Sequence, residues 1–143
     1  MQIGSFLISN NSPVFIIAEL SANHNGSLDN ALATIKAAKR AGADSIKLQT
    51  YTADTITINS KEEDFRLKQG TIWDGKYLHD LYKEAYTPWE WHQPIFEHAK
   101  KQGMIAFSSP FDETAGDFLE SVEVSVYKIA FFKNTDWPLL EKV

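Results

Sequence analysis

The sequence contains no cysteine, which excludes disulfides, thiolate metal sites and cysteine nucleophiles and leaves the redox compartment open. It has no apolar run of about 18 residues, and its start does not read as a basic-then-apolar leader. A cytoplasmic protein without membrane partners is the expectation. It also lacks a basic run or patch: 14 basic residues face 19 acidic ones, a formal charge of −5, so nucleic acid is not the expected partner. Phosphate-loop, nucleophile-elbow and zinc-helix patterns are missing. The four histidines follow no spacing that matches a metal motif. There is no internal repeat or low-complexity segment. What remains is an ordinary globular balance, 43% apolar and 23% charged over 143 residues, short of the roughly 250 that a complete (β/α)₈ barrel takes.

The patterning alternates strand and helix, as in a parallel α/β architecture. Residues 14–19 form a short β-branched and aromatic run that ends on Glu19 and reads as a first strand. The segment before it, 1–13, reads as a hairpin or lid that turns at 10–13. Ser27 reads as the cap of a helix in which Leu28, Ala31, Leu32, Ile35 and Ala38 recur at helical spacing and Gly42 closes the run. A second strand over 44–51 places Lys47, Gln49 and Tyr51 on one face and Ile46, Leu48 and Thr50 on the other. Residues 52–75 are a long polar excursion, and a short helix over 76–86 follows it. Thr87-Pro88-Trp89-Glu90 matches a capping box with proline at the first helical position. That helix should run to Gln102, stop at Gly103 and bend at Pro94. A third strand over 104–109, a helix capped by Asp112, a fourth strand over 125–130 and a helix from Pro138 complete four β/α units of a possible eight.

Barrel enzymes build their sites at the C-terminal ends of strands. Glu19, the Lys47/Gln49/Tyr51 face, Ser108-Ser109-Pro110 and Lys128 all lie at or near such ends. Two ammonium groups and nearby hydroxyls suit a phosphate or carboxylate, because the lysines supply charge and the hydroxyls supply direction. Each residue also has a plainer account: Lys47 as an ion-paired lysine, Glu19 as its structural partner, Lys128 as a surface cation. His24, in the Asn23-His24-Asn25-Gly26 turn, reads as a loop hydrogen-bonder, and Trp89, Trp91 and Phe96 as helix packing. Residue chemistry alone reaches a partial barrel with an anion site and no reaction.

Five strings, taken together, resemble the N-acetylneuraminate synthase family, and within it the pseudaminic branch. They are Phe15-Ile-Ile-Ala-Glu-Leu-Ser-Ala-Asn-His-Asn-Gly-Ser27, Ala41-Gly-Ala-Asp-Ser-Ile-Lys-Leu-Gln-Thr50, Thr87-Pro-Trp-Glu-Trp-His92, Phe107-Ser-Ser-Pro-Phe111 and Tyr127-Lys-Ile129. They run in the family's order across nearly the whole chain. The resemblance implies an α/β (β/α)₈ TIM barrel, present here as its N-terminal half over residues 1–143. The remaining strands and a small antifreeze-like C-terminal domain lie outside this chain. It implies a usually dimeric, C–C bond-forming transferase of sialic-acid-type biosynthesis. Such an enzyme joins C3 of phosphoenolpyruvate to the aldehyde of an open-chain amino sugar. That sugar is 2,4-diacetamido-2,4,6-trideoxy-L-altrose for pseudaminic acid or N-acetylmannosamine for sialic acid. Water attacks C2 and phosphate leaves by C–O cleavage. A divalent metal, usually manganese, polarises the aldehyde, held by later strands and by no residue of this chain.

Position by position, the resemblance makes Glu19 catalytic, in contact with the reacting carbons or the attacking water. It makes Lys47, Ser109 and Lys128 ligands of phosphoenolpyruvate. Asn23, Gln49 and Tyr51 are placed near the substrates. Two positions depart from the family. Where it carries a phosphate-binding serine and, shortly after, a sugar-handling glutamate, this chain has Phe131 and Lys133. These departures keep two other readings open: another phosphoenolpyruvate-using barrel, such as a 3-deoxy-keto-acid phosphate synthase, and a non-catalytic remnant, with this segment inactive by itself.

Overall fold

A computed structural model describes residues 2–143. Its centre is a three-stranded parallel sheet of β3 (Ile17–Glu19), β4 (Ser45–Thr50) and β5 (Ile105–Pro110), ordered β3-β4-β5. Ahead of it, β1 (Gln2–Ile3) and β2 (Phe6–Leu7) form a small antiparallel hairpin. The hairpin turns at Gly4, whose φ of +55° suits glycine, and not at residues 10–13 as the Asn-Asn-Ser-Pro run suggests. Residues 9–12 form a separate turn, in which the Ser12 N–H donates to the Ser9 carbonyl. The hairpin seats against the sheet: a methyl group on Gly4 would lie 3.1 Å from the Ile105 side chain.

Between β3 and β4 runs α1 (Leu28–Arg40). The Ser27 hydroxyl caps it by accepting from the Asn30 N–H, Asp29 sits in its first turn, and Lys39 and Arg40 sit in its last, the charge arrangement that a helix dipole favours. The excursion after β4 holds two short helices, α2 (Ala53–Ile56) and α3 (Leu78–Ala85). Next comes α4 (His92–Lys101), entered through a 3₁₀ turn at Trp89–Trp91. The expected capping box at Thr87 does not form, because the Thr87 hydroxyl is engaged with His24 instead. Pro94 therefore falls in the first turn of α4, where its missing N–H costs nothing, and the reason for a mid-helix bend disappears.

After β5 come α5 (Glu113–Ser121), capped by the Asp112 carboxylate on the N–H groups of Thr114 and Ala115, and α6 (Trp137–Lys142), capped by Asp136. The expected fourth strand over 125–130 shrinks to a single parallel bridge between Ser108 and Tyr127. Leu20, Ile35, Ile46, Leu48, Ile95 and Met104 form the main core between one sheet face and helices α1 and α4. Fully burying each large side chain contributes about 1.5–3 kcal/mol. A smaller cluster of Tyr51, Phe111 and Ala130 lies at the strands' C-terminal ends. No helix among the described residues is long and apolar enough to cross a membrane.

Candidate active site

Register determines which side chains meet. Glu19 pairs with Lys47, and Gln49 with Ser109, on successive rungs. Because alternate residues share a face, these four side chains stand on the side away from the main core, which takes Ile46 and Leu48. Lys47 is buried, 6% exposed, and its Nζ lies 3.1 Å from a Glu19 oxygen whose own side chain is 61% exposed. An isolated buried ammonium is costly, and one carboxylate at the solvent edge offsets part of that cost. An ammonium carries three donors, and Glu19 is the one ion-pair partner of Lys47 among the described residues.

The neighbouring groups are similarly under-used. Ser109 is 1% exposed, and its Oγ has no hydrogen-bond partner. Ser45, one layer below Lys47 on the same strand face, has a second orphaned hydroxyl, which the sequence did not single out. Gln49 is half-buried and Lys128 exposed. The Lys128 main-chain N–H donates to the Ser108 carbonyl at 3.1 Å, beside the Ser108–Tyr127 bridge. Alternation from that bridge places Lys128 on the face of Ser109. A leftover ammonium on Lys47 and a free buried hydroxyl on Ser109 form an incomplete set of donors suited to an anion, and the Lys128 backbone is anchored at the same strand end.

The remaining expected residues lie around this face. Asn23 is exposed, and its Nδ2 donates to the Leu20 carbonyl at 2.9 Å, closing the loop after β3. Tyr51 is buried in the aromatic cluster, edge-on to Tyr82 and to Phe111, each at 5.6 Å. Burial, with Tyr82 beside it, pushes its phenol up to about 12, so it stays neutral. Phe131, at 86% exposed, and Phe132 point outward, with Phe132 5.7 Å from the Phe111 ring. The Lys133 ammonium is 2.9 Å from the Asp136 carboxylate.

Three of the four histidines are held by hydrogen bonds to neighbouring groups. The His24 Nδ1 accepts from the Gly26 N–H at 3.1 Å, which leaves Nε2–H to donate to the Thr87 hydroxyl at 3.3 Å. Burial lowers the His24 pKa. His79 lies 2.8 Å from the Asp54 carboxylate in a small cavity of about 210 Å³. His92 is buried in a hydroxyl network with Thr50 and Ser108. Among the described residues no three His, Asp or Glu side chains gather as a metal ligand set, so the residues present do not fit the implied divalent metal.

Comparison with known proteins adds a family. The family model described as "NeuB family" matches residues 34–143. Pseudaminic acid synthase of Campylobacter jejuni is 54% identical over 136 residues, 95% of this chain and 39% of that protein. Pseudaminic acid synthase of Helicobacter pylori is 50% identical over 91% of this chain and 38% of its own length. The crystal structure of N-acetylneuraminic acid synthetase from Leptospira borgpetersenii, in complex with citrate, superposes with a TM-score of 0.81 at 29% identity, over 99% of this chain and 45% of that one. The chain thus spans about two-fifths of the relatives it matches, and its parallel sheet and helices form part of an α/β barrel.

Proposed function

Because this chain belongs to the NeuB family, we propose that it forms the N-terminal half-barrel of a nonulosonic acid synthase. In this reading the enzyme condenses phosphoenolpyruvate with an amino sugar and releases phosphate. The observation that carries the reading is the polar face of β3, β4 and β5. There Lys47 is buried with one ion partner, and Ser109 is buried with none, in a sheet whose other face packs the main apolar core beside one closed hydroxyl network. Phosphoenolpyruvate is a trianion, and it satisfies these donors. Lys47 and Lys128 neutralise its charge, and Ser109 donates a directional hydrogen bond. The substrate's carboxylate or phosphate takes the donors of Lys47 that Glu19 leaves free. Glu19, at the solvent edge of the same rung, then faces the carbon that becomes cationic when C3 attacks the aldehyde. A fixed carboxylate there favours that charge and can hold the water that adds to C2.

In the same reading the later strands, an antifreeze-like domain and a partner subunit complete the enzyme, and a manganese site lies on those later strands. The 2,4-diacetamido-2,4,6-trideoxy-L-altrose acceptor is favoured over N-acetylmannosamine, because the two relatives above, identical at half or more of the aligned positions, are pseudaminic acid synthases. The test is phosphate release from phosphoenolpyruvate by the full-length protein carrying this segment, with and without each sugar. Sugar-dependent release that Lys47→Met abolishes supports the reading. Release that ignores the sugar, or that survives the substitution, refutes it.

A further inference from the structure

We propose that Thr50, His92 and Ser108 form a positioning relay behind the sheet that sets Ser109 and Lys128 for the phosphoenolpyruvate anion. The inference rests on the functional reading above and assigns a role to residues whose side chains stand outside the proposed site. All three side chains are fully buried, on the sheet face opposite Lys47 and Ser109.

With a neutral imidazole, their hydrogen bonds have one polarity. The Pro88 carbonyl can only accept, so the His92 Nδ1, 3.3 Å away, carries the proton. The His92 Nε2 is then a bare acceptor, and the Thr50 hydroxyl donates to it at 2.8 Å. With that proton committed, Thr50 can only accept from the Ser108 hydroxyl at 2.7 Å. This polarity belongs to the neutral imidazole; an imidazolium would reverse the two hydroxyls. Burial supplies the neutral form, pulling the His92 pKa down to about 4.

The relay sits where the proposed site needs precision. Leu48 pairs with Ser108, and Gln49 with Ser109, on adjacent rungs, so fixing Thr50 and Ser108 from behind fixes the side chains that alternate with them in front. The Ser108 carbonyl also accepts the Lys128 N–H at 3.1 Å, next to the one bridge that ties residues 124–130 to the sheet. Lower on the same sheet face the contacts are apolar, through Ile46, Leu48 and Ala106, and these hold strands together without hydroxyl groups. Placing three polar groups in a core carries a desolvation cost, and what they add is direction at this level of the sheet.

The experiment uses the full-length protein carrying this segment. Phosphate release is measured against phosphoenolpyruvate and against the amino sugar separately, for Thr50→Val, Ser108→Ala and Thr50→Ser. The relay predicts a rise of about tenfold in the phosphoenolpyruvate KM for the first two, the effect of one misplaced hydrogen bond. The amino-sugar KM stays within about twofold of wild type, and Thr50→Ser restores both values. If Thr50→Val does not fold, Ser108→Ala carries the test alone. An unchanged phosphoenolpyruvate KM in Ser108→Ala overturns the relay, as does an equal rise for both substrates that tracks a fall in melting temperature. Wild-type protein that releases no phosphate from phosphoenolpyruvate is a different result: it refutes the functional reading, and the relay falls with it.

Discussion

Acidification should destabilise this chain through one residue more than any other, His92. Its imidazole is fully buried between the Phe96 and Phe118 rings, both edge-on, and is bonded to Thr50 and Pro88. Burial lowers its pKa from 6.5 to about 4. The unfolded chain takes up a proton at His92 as the pH falls through 6.5, whereas the folded chain resists until about 4. The stability it contributes is therefore complete above 6.5, declines through the window between the two values, and levels off below it. The full difference is roughly 3 kcal/mol, with about 2 kcal/mol of it lost by pH 5. Against the 5–15 kcal/mol or so that holds an ordinary domain together, that is a large fraction.

Urea unfolding at about pH 7.5, 5 and 4 measures it, with His92→Gln as a non-titrating comparison that still offers Thr50 an acceptor. His24, whose pKa is also lowered, titrates in both proteins and cancels in the difference. The same holds for exposed carboxylates such as Asp74 and Asp80, which sit below the usual range because hydrogen bonds from Thr71 and Lys61, respectively, stabilise their ionised forms. Wild type should lose roughly 3 kcal/mol more than His92→Gln between pH 7.5 and 4. Parallel pH profiles would show that His92 is either not buried as described or already protonated, and the polarity argued for the relay would fail.

Three further outcomes follow from the same contacts. Ser109→Ala removes a buried hydroxyl that has no partner; it should raise stability by about 1 kcal/mol or more, while phosphoenolpyruvate binding by calorimetry weakens about tenfold. The double substitution Phe131→Ser with Lys133→Glu should raise phosphate release by roughly ten- to a hundredfold in the full-length protein; Phe131 is 86% exposed and its loss costs little stability, whereas Lys133→Glu sets a second carboxylate beside the Asp136 cap of α6 and should lower the melting temperature. Val14, Ile16 and Ile17 are exposed along the β3 edge, and an open edge with apolar side chains invites pairing. The isolated chain at micromolar concentration should therefore sediment as a dimer or larger, and a cooperatively unfolding monomer would contradict this.

What the sequence disclosed was local or periodic. Ser27, the helical recurrence from Leu28 to Ala38 and Gly42 define α1 within the segment itself, and the alternation in 44–51 sorts Lys47 from Leu48 with no knowledge of their neighbours. The sequence leaves the pairing of Lys47 with Glu19 as one account of two, and the geometry makes the accounts compatible, because the same contact leaves Lys47 donors free. What stayed hidden depends on distant partners. Thr87 reads as a helix cap until His24, 63 residues away, takes its hydroxyl. His92 meets Thr50 across 42 residues, and Thr50 meets Ser108 across 58, separations at which no spacing rule operates. The run at 125–130 has the composition of a strand but joins the sheet by one bridge, since ladder formation needs a neighbour on the ladder and not composition alone.

The most direct test of the central claim is the fate of oxygen when the full-length protein carrying this segment turns over phosphoenolpyruvate and the amino sugar in ¹⁸O-labelled water. A synthase that adds water at C2 and expels phosphate by C–O cleavage yields unlabelled phosphate and a nonulosonic acid labelled at C2, and Lys47→Met removes both products. Label in the phosphate would mean that the polar face of β3, β4 and β5 serves hydrolysis at phosphorus, and phosphate released without the sugar would mean hydrolysis at either end of the bond; each contradicts condensation.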